Sequence, residues 1–119
     1  MKVRAIDFVE LRVADVDRAV RFYRDTLGMD FPLAGGGSEW KEFASPPVAL
    51  ALGRGPEPPG SIVLALAVDD VDAAVEELRA KGVPILKEPW AADICYRALI
   101  QGPDGNVIML HHRKDGTAG

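Results

Sequence analysis

Two stretches of the chain space their apolar residues in the same way, and each predicts an amphipathic helix. VADVDRAVRFYRDTLGM (13–29) and VDDVDAAVEELRAKGVP (68–84) align at an offset of 55 residues. Val13 pairs with Val68, Asp15 with Asp70, Val16 with Val71, Asp17 with Asp72, Ala19 with Ala74, Val20 with Val75 and Arg24 with Arg79. Val16, Val20, Tyr23 and Leu27 make the apolar stripe of the first copy, and Val71, Ala74, Val75 and Leu78 that of the second. Asp15 and Asp70 precede the stripes, where a carboxylate accepts hydrogen bonds from the free amides of a first turn. Gly28 and Gly82 suit the left-handed residue that ends a helix.

Strand-like segments flank both helices. Arg4–Arg12 precedes the first, and Asp30–Leu33, Ser38–Ala44 and Val48–Leu52 follow it. Ser61–Val68 precedes the second, and Pro84–Leu86, Ile94–Ile100 and Asn106–His112 follow it. Each copy therefore reads as strand, helix, then three strands, one supersecondary unit used twice. We expect a single domain over residues 1–119, with module one at about 1–53 and module two at about 61–113. GRGPEPPG (53–60) is the linker-like stretch between them, residues 35–37 and 103–105 read as turns, and the polar tail after Arg113 is expected to be loose.

Two strands separate large from small side chains. Val48, Leu50 and Leu52 alternate with Ala49 and Ala51, and Ile62, Leu64 and Leu66 alternate with Val63, Ala65 and Ala67. Neighbouring side chains point to opposite sides of a sheet. One side is thus bulky enough to be covered by helices, and the other leaves room for a ligand or for the close approach of a neighbouring element.

Composition excludes several classes. A formal charge of −4, with no lysine or arginine cluster, gives no footprint for nucleic acid. No apolar run approaches the ~20 residues that cross a bilayer, so no membrane is expected as a partner. The opening MKVRAIDFVE lacks the apolar centre of a signal peptide. The single cysteine, Cys95, has no intrachain partner, which fits a cytoplasmic protein.

Val13-Ala14-Asp15-Val16-Asp17-Arg18-Ala19-Val20, followed by Phe22-Tyr23 and Leu27-Gly28, resembles the VxDxxRAxxFYxxxLG stretch of the vicinal oxygen chelate superfamily. That group includes glyoxalases, extradiol dioxygenases and fosfomycin- and bleomycin-resistance proteins. Val68-Asp69-Asp70-Val71 and Gly102-Pro103-Asp104-Gly105-Asn106 resemble its second-half counterparts, the latter with Gly102 where aspartate is usual. The resemblance implies an α+β fold of two tandem βαβββ modules, forming a cupped mixed sheet with helices on the convex side. It also implies a homodimer whose cavities form where modules of both chains meet.

Metal-dependent relatives hold one divalent ion with His, Gln or Glu at four inward strand positions. The resemblance puts these at Phe8, Val63, Met109 and a position near Ala49 or Ala51, and the offset of 55 separately pairs Phe8 with Val63. None is a donor for a catalytic divalent cation, so no metal and no other cofactor is expected. A slip of one residue would not supply donors, because it turns each side chain to the other face. The alternative is one divalent metal ion in a displaced site drawn from Glu10, Glu42 and His111, with His112 as a further donor. Glu10 follows Phe8, and His111 follows Met109, by two residues on the same face, roughly 6.6 Å along a strand. Against this, Glu10 can simply pair with Arg12 or Arg97, and His111 and His112 can be polar strand ends.

The leading expectation is metal-independent binding of a small, partly aromatic molecule, a drug or a metabolite, at a homodimer cleft. The expected ligand contacts are Phe8, Glu10, Trp40, Ala49, Ala51, Val63, Ala65, Trp90, Tyr96, Arg97, Met109 and His111. Trp40 and Trp90 could sandwich a planar group, with Arg97 and Glu10 orienting its polar atoms. The competing class is a metal-dependent lyase, isomerase or dioxygenase, and a third is a metal-free enzyme using Glu10 or His111 as general base. Cys95-Tyr96-Arg97 could act as nucleophile, acid and anion clamp, although a lone cysteine is more often a small buried apolar residue.

Overall fold

Asp15 and Asp70 open the two helices in the same conformation. Their backbone angles are φ −143°, ψ 110° and φ −144°, ψ 105°, and each carboxylate accepts a 3.0 Å hydrogen bond, from the amide of Arg18 and of Ala73 respectively. The repeat seen in the sequence is therefore also a repeat in geometry. The structure is a computed structural model that describes residues 1–35, 37–92 and 95–114. Ile94, the tail beyond Lys114 and the middle of the 35–37 turn lie outside the described residues.

Among the described residues the strands are β1 (Ala5–Arg12), β2 (Leu33–Ala34), β3 (Trp40–Phe43), β4 (Ala49–Gly53), β5 (Ile62–Ala67), β6 (Ile85–Ala92), β7 (Cys95–Gln101) and β8 (Val107–Arg113). The helices are α1 (Val16–Arg21) and α2 (Val71–Ala80). The chain forms two compact units, Phe8–Ile62 and Met1–Asp7 with the residues from Val63 onward. In the first, β1 pairs parallel with β4, and β4–β3 and β3–β2 are antiparallel. The second repeats this order: β5 pairs parallel with β8, and β8–β7 and β7–β6 are antiparallel. The class is α+β, with parallel and antiparallel pairs mixed in each unit. Among the described residues no helix is long and apolar enough to cross a membrane.

The bulky side of β4 faces its helix, as its alternation predicts, whereas on β5 Ile62 is exposed and Leu64 and Leu66 are half-buried. In the first unit Phe43 and Leu52 are buried against Val16 and Val20, with Leu11 and Leu50 beside them. In the second, Ala98, Ile100 and Leu110 are buried against Val71, Ala74 and Val75, with Leu78 and Ile108 beside them.

Three expectations need correction. Leu27 was placed on the apolar stripe of the first helix but is 57 % exposed. After Arg21 the chain widens into a π-helical segment, Phe22–Thr26, in which the Leu27 amide reaches back to the Phe22 carbonyl. The extra residue in that turn rotates Leu27 off the stripe, and Met29 packs on the core instead. Second, the strand expected at 84–86 runs on to Ala92 and carries Trp90, while the strand expected at 30–33 shortens to Leu33–Ala34. Third, the linker-like stretch is docked on Arg12: the Gly60 amide donates to the Arg12 carbonyl at 2.7 Å, and the Arg12 amide to the Ser61 carbonyl at 2.8 Å.

The Arg18 amide, and to a smaller degree the nearby arginines, hold the Asp15 carboxyl below its ordinary pKa. A carboxylate with a lowered folded-state pKa stabilises the fold above its unfolded value, and loses that contribution as pH falls through the folded value. Asp15→Asn keeps a capping acceptor but cannot titrate. Its unfolding midpoint in urea should therefore fall less than that of the parent between pH 6 and pH 3, and equal slopes would contradict this role.

Candidate functional site

Strand register gathers the expected contacts of the first unit on one face. Phe8 lies beside Ala49, Glu10 beside Ala51 and Arg12 beside Gly53, and across the next strand Glu42 faces Ala51 and Trp40 faces Gly53. Paired residues of adjacent strands share a face, so Phe8, Glu10, Arg12, Trp40, Glu42, Ala49 and Ala51 all lie opposite α1. All are buried except Trp40, which is half-buried.

A charge network fills the far end of this face. Glu10 and Arg12 form an ion pair on alternate positions of β1, and Glu10 also accepts from the Trp40 indole N–H at 3.0 Å. Arg12 Nε donates to Glu57, from the linker-like stretch, at 2.5 Å. Of the two partners the sequence offered Glu10, the structure selects Arg12. The Trp40 ring meets Phe8 edge-on, with centroids 6.1 Å apart and planes at 73°. Backbone is kept bare beneath this cluster. A Cβ on Gly53 would stand 2.7 Å from Glu10 Oε2 and 2.8 Å from Trp40 Cδ1, and one on Gly55 would stand 2.6 Å from Arg12 Nε.

The second unit mirrors the arrangement. Val63, Ala65 and Ala67 lie beside Val107, Met109 and His111, and Leu99 and Arg97 face Met109 and His111 from the next strand. Val63, Ala65, Arg97, Met109 and His111 thus share the face opposite α2. His111 Nδ1–H donates to the buried carboxylate of Asp7, and the Arg113 guanidinium lies 4.0 Å from the other oxygen of that carboxylate. Donation at Nδ1 leaves the ring lone pair on Nε2 when the imidazole is neutral. Asp7, Arg12 and Glu57 were not among the expected site residues. Asp7 was legible as a carboxylate inside an apolar strand, a residue type almost never fully buried without a partner.

Tyr96 is separated from Arg97. It lies on the α2 side of β7, in step with Ala98 and Ile100, and stacks on His112 at 6.1 Å with planes 20° apart. The Cys95-Tyr96-Arg97 arrangement is therefore not assembled. Cys95 is buried and its sulfur accepts from Arg97 Nε at 3.1 Å, while Tyr96 points the other way. Tyr96 and Trp90 instead line a cavity of about 400 Å³ together with His112, Pro89 and Asp69–Asp72. Its lining draws on both sides of the sheet, because Trp90 pairs with Arg97 and shares its face, while Tyr96 and His112 stand on the other.

The positions where the family resemblance puts ligands are Phe8, Ala49 or Ala51, Val63 and Met109, all buried and none able to donate an imidazole nitrogen or carboxylate oxygen. Among the described residues no three His, Cys, Asp or Glu side chains converge as a metal site would need. Glu10 and His111 are each already engaged by a charged neighbour.

The profile of the Glyoxalase/Bleomycin resistance protein/Dioxygenase superfamily matches residues 5–110. A lactoylglutathione lyase of Haemophilus influenzae is 31% identical over 126 positions, 92% of this chain and 93% of that protein. A probable lactoylglutathione lyase of Vibrio parahaemolyticus is 28% identical, covering 92% and 91%. The Mn(II)-bound glyoxalase from Novosphingobium aromaticivorans superposes with a TM-score of 0.72 at 27% identity, over 99% of this chain and 41% of that one. A Streptomyces coelicolor methylmalonyl-CoA epimerase superposes with a TM-score of 0.76 at 20% identity, a likeness of fold.

Gly53→Ala forces a methyl group into the Glu10–Trp40 pair. It should cost about 1–3 kcal/mol, as overpacking of a buried site does, and shift the Trp40 fluorescence, read against Trp40→Phe. An unchanged denaturation midpoint and spectrum would show that the pair does not rest on bare backbone.

Proposed function

Because the chain belongs to the Glyoxalase/Bleomycin resistance protein/Dioxygenase superfamily, we propose that it uses the family's cleft to bind a small, partly aromatic molecule without a catalytic metal. The observation that carries this reading is the donor set. Phenylalanine, alanine, valine and methionine, all buried, stand where the resemblance puts nitrogen and oxygen ligands. Such side chains supply apolar contact to a ligand and nothing a divalent cation can use. In the first unit Phe8 and the half-buried Trp40 would give aromatic contacts beside Ala49 and Ala51, and in the second Val63 and Ala65 would leave room beside the polar Arg97 and His111. The cleft would be completed in a homodimer, and its role would be sequestration of a drug or metabolite in the cytoplasm. No reaction step is assigned.

A second reading is favoured by the names of the relatives, which include lactoylglutathione lyases. It is a lyase with an atypical metal set containing Glu10, Glu42 and His111. In that reading His111 would ligate through Nε2 with Nδ1–H still on Asp7, and Glu10 would share its oxygens with Arg12 and Trp40.

Elemental analysis after exposure to Ni²⁺, Mn²⁺, Fe²⁺ and Zn²⁺ should find no stoichiometric metal. One ion per chain, lost in Glu10→Ala or His111→Ala, would replace the first reading with the second. A panel of planar aromatic compounds should raise the melting temperature in proportion to RT ln(1 + [L]/Kd), and Trp40→Ala should abolish the effect. A panel with no stabilising member would remove the binding proposal.

A further inference from the structure

The second unit sorts its charges to opposite sides of the sheet. From its cap to its last turn, α2 carries Asp70, Asp72, Glu76 and Glu77 against Arg79 and Lys81. On the opposite face the register sets Trp90, Arg97, His111 and Ala67 in one row across β6, β7, β8 and β5. Arg113 stands beside Cys95 in the next row of that face. β5, β7 and β8 contain no acidic residue, and Glu88 of β6 is paired with Arg79 of α2. The carboxylate that meets these bases comes from β1: Asp7 accepts from His111 and lies 4.0 Å from Arg113.

The face closes at one margin and opens at the other. Ala65, Ala67, Met109 and His111 are buried, whereas Leu99 and Arg97 on β7 and Trp90 on β6 are half-buried. Arg97 is oriented by its Nε edge, which donates to Cys95 Sγ at 3.1 Å; the Nη nitrogens form the other edge of the planar fork. A guanidinium has more N–H donors than one thiol occupies, and a thiol is a weak acceptor. The bond therefore aims the group without using up its capacity. Lys87 brings a second cation to the row, its Nζ 4.0 Å from the ring of Trp90, the cross-strand neighbour of Arg97.

The geometry points to an organic carboxylate as the ligand of this face, held bidentate by Arg97 with its apolar body along Leu99. The inference rests on the binding function proposed above and adds the charge and shape of the ligand's polar group. A carboxylate matches the planar fork and carries the single charge that one guanidinium balances. Asp7 already faces His111 and Arg113, so Arg97 is the base on this row that an incoming anion would meet, with Lys87 adding to the positive potential. A neutral amide keeps the shape and loses the charge, and an amidinium meets like charge.

Naphthoate, naphthamide and naphthamidinium are matched in size and differ in charge. Their affinities for the full chain can be measured by isothermal titration calorimetry in EDTA, which removes binding through a metal. Naphthoate should bind about tenfold more tightly than naphthamide, as charge-assisted hydrogen bonding gives, and naphthamidinium should not saturate. Arg97→Gln should lower naphthoate to the affinity of naphthamide and leave naphthamide unchanged. Arg97→Lys keeps the charge and gives up the fork, should weaken naphthoate about threefold, and serves as the test if Arg97→Gln fails to fold. Naphthamide as tight as naphthoate, saturable naphthamidinium, or naphthoate affinity unaltered by the Arg97 change would overturn the inference and leave the binding proposal standing. Silence of all three beside a positive member of the wider aromatic panel would overturn this inference alone, and silence of the whole panel would overturn both.

Discussion

The parallel ladders β1–β4 and β5–β8 set the chemistry of this chain. Their registers decide which side chains share a face: Ala49 and Ala51 stand beside Phe8 and Glu10, and Val63, Ala65 and Ala67 beside Val107, Met109 and His111. Leu52 and Leu110 thereby meet their helices, while Ala51 and Ala65 look away from them. A slip of one residue in either ladder would put alanine under the helix and leucine into the open face. The division into a helix-covered side and the side opposite it is thus a property of register, enforced by what the helices must bury.

Polar residues on the small-residue faces are admitted on strict terms. Burying an ion costs several kcal/mol unless it is paired and hydrogen-bonded. Glu10 meets this condition through Arg12 and Trp40, Arg12 through Glu57 as well, and His111 through Asp7. Gly53 and Gly55 contribute by having no side chain, which gives the Glu10–Arg12 cluster space against the backbone. The Glu10 carboxylate thus holds a guanidinium and an indole N–H at once, one on each oxygen.

The second unit shows how adjacent residues serve different surfaces. Arg97 joins His111 and Met109 on one side of β7, and Tyr96 joins His112 on the other. A strand one residue thick thus serves two sides of the sheet, Arg97 beside the small residues of β5 and β8 and Tyr96 beside His112.

Features settled within a few residues were legible in the chain itself. Asp15 and Asp70 cap because their carboxylates reach amides three residues on. Gly28 and Gly82 close the helices at φ +76° and +81°, and Ala49 and Ala51 share a face because strands alternate. The resemblance carried by the first helix pointed to the right superfamily for the same local reason. Features that depend on distant partners were not legible. Asp7 meets His111 across 104 residues, and Arg12 meets Glu57 across 45. Leu27 left its stripe because the turn before it widened, and Tyr96 parted from Arg97 once β7 acquired two occupied sides. Local geometry follows from bond lengths and hydrogen-bond reach, which sequence spacing encodes directly. The partner of a buried charge follows from where strands come to lie side by side, and only the folded chain supplies that.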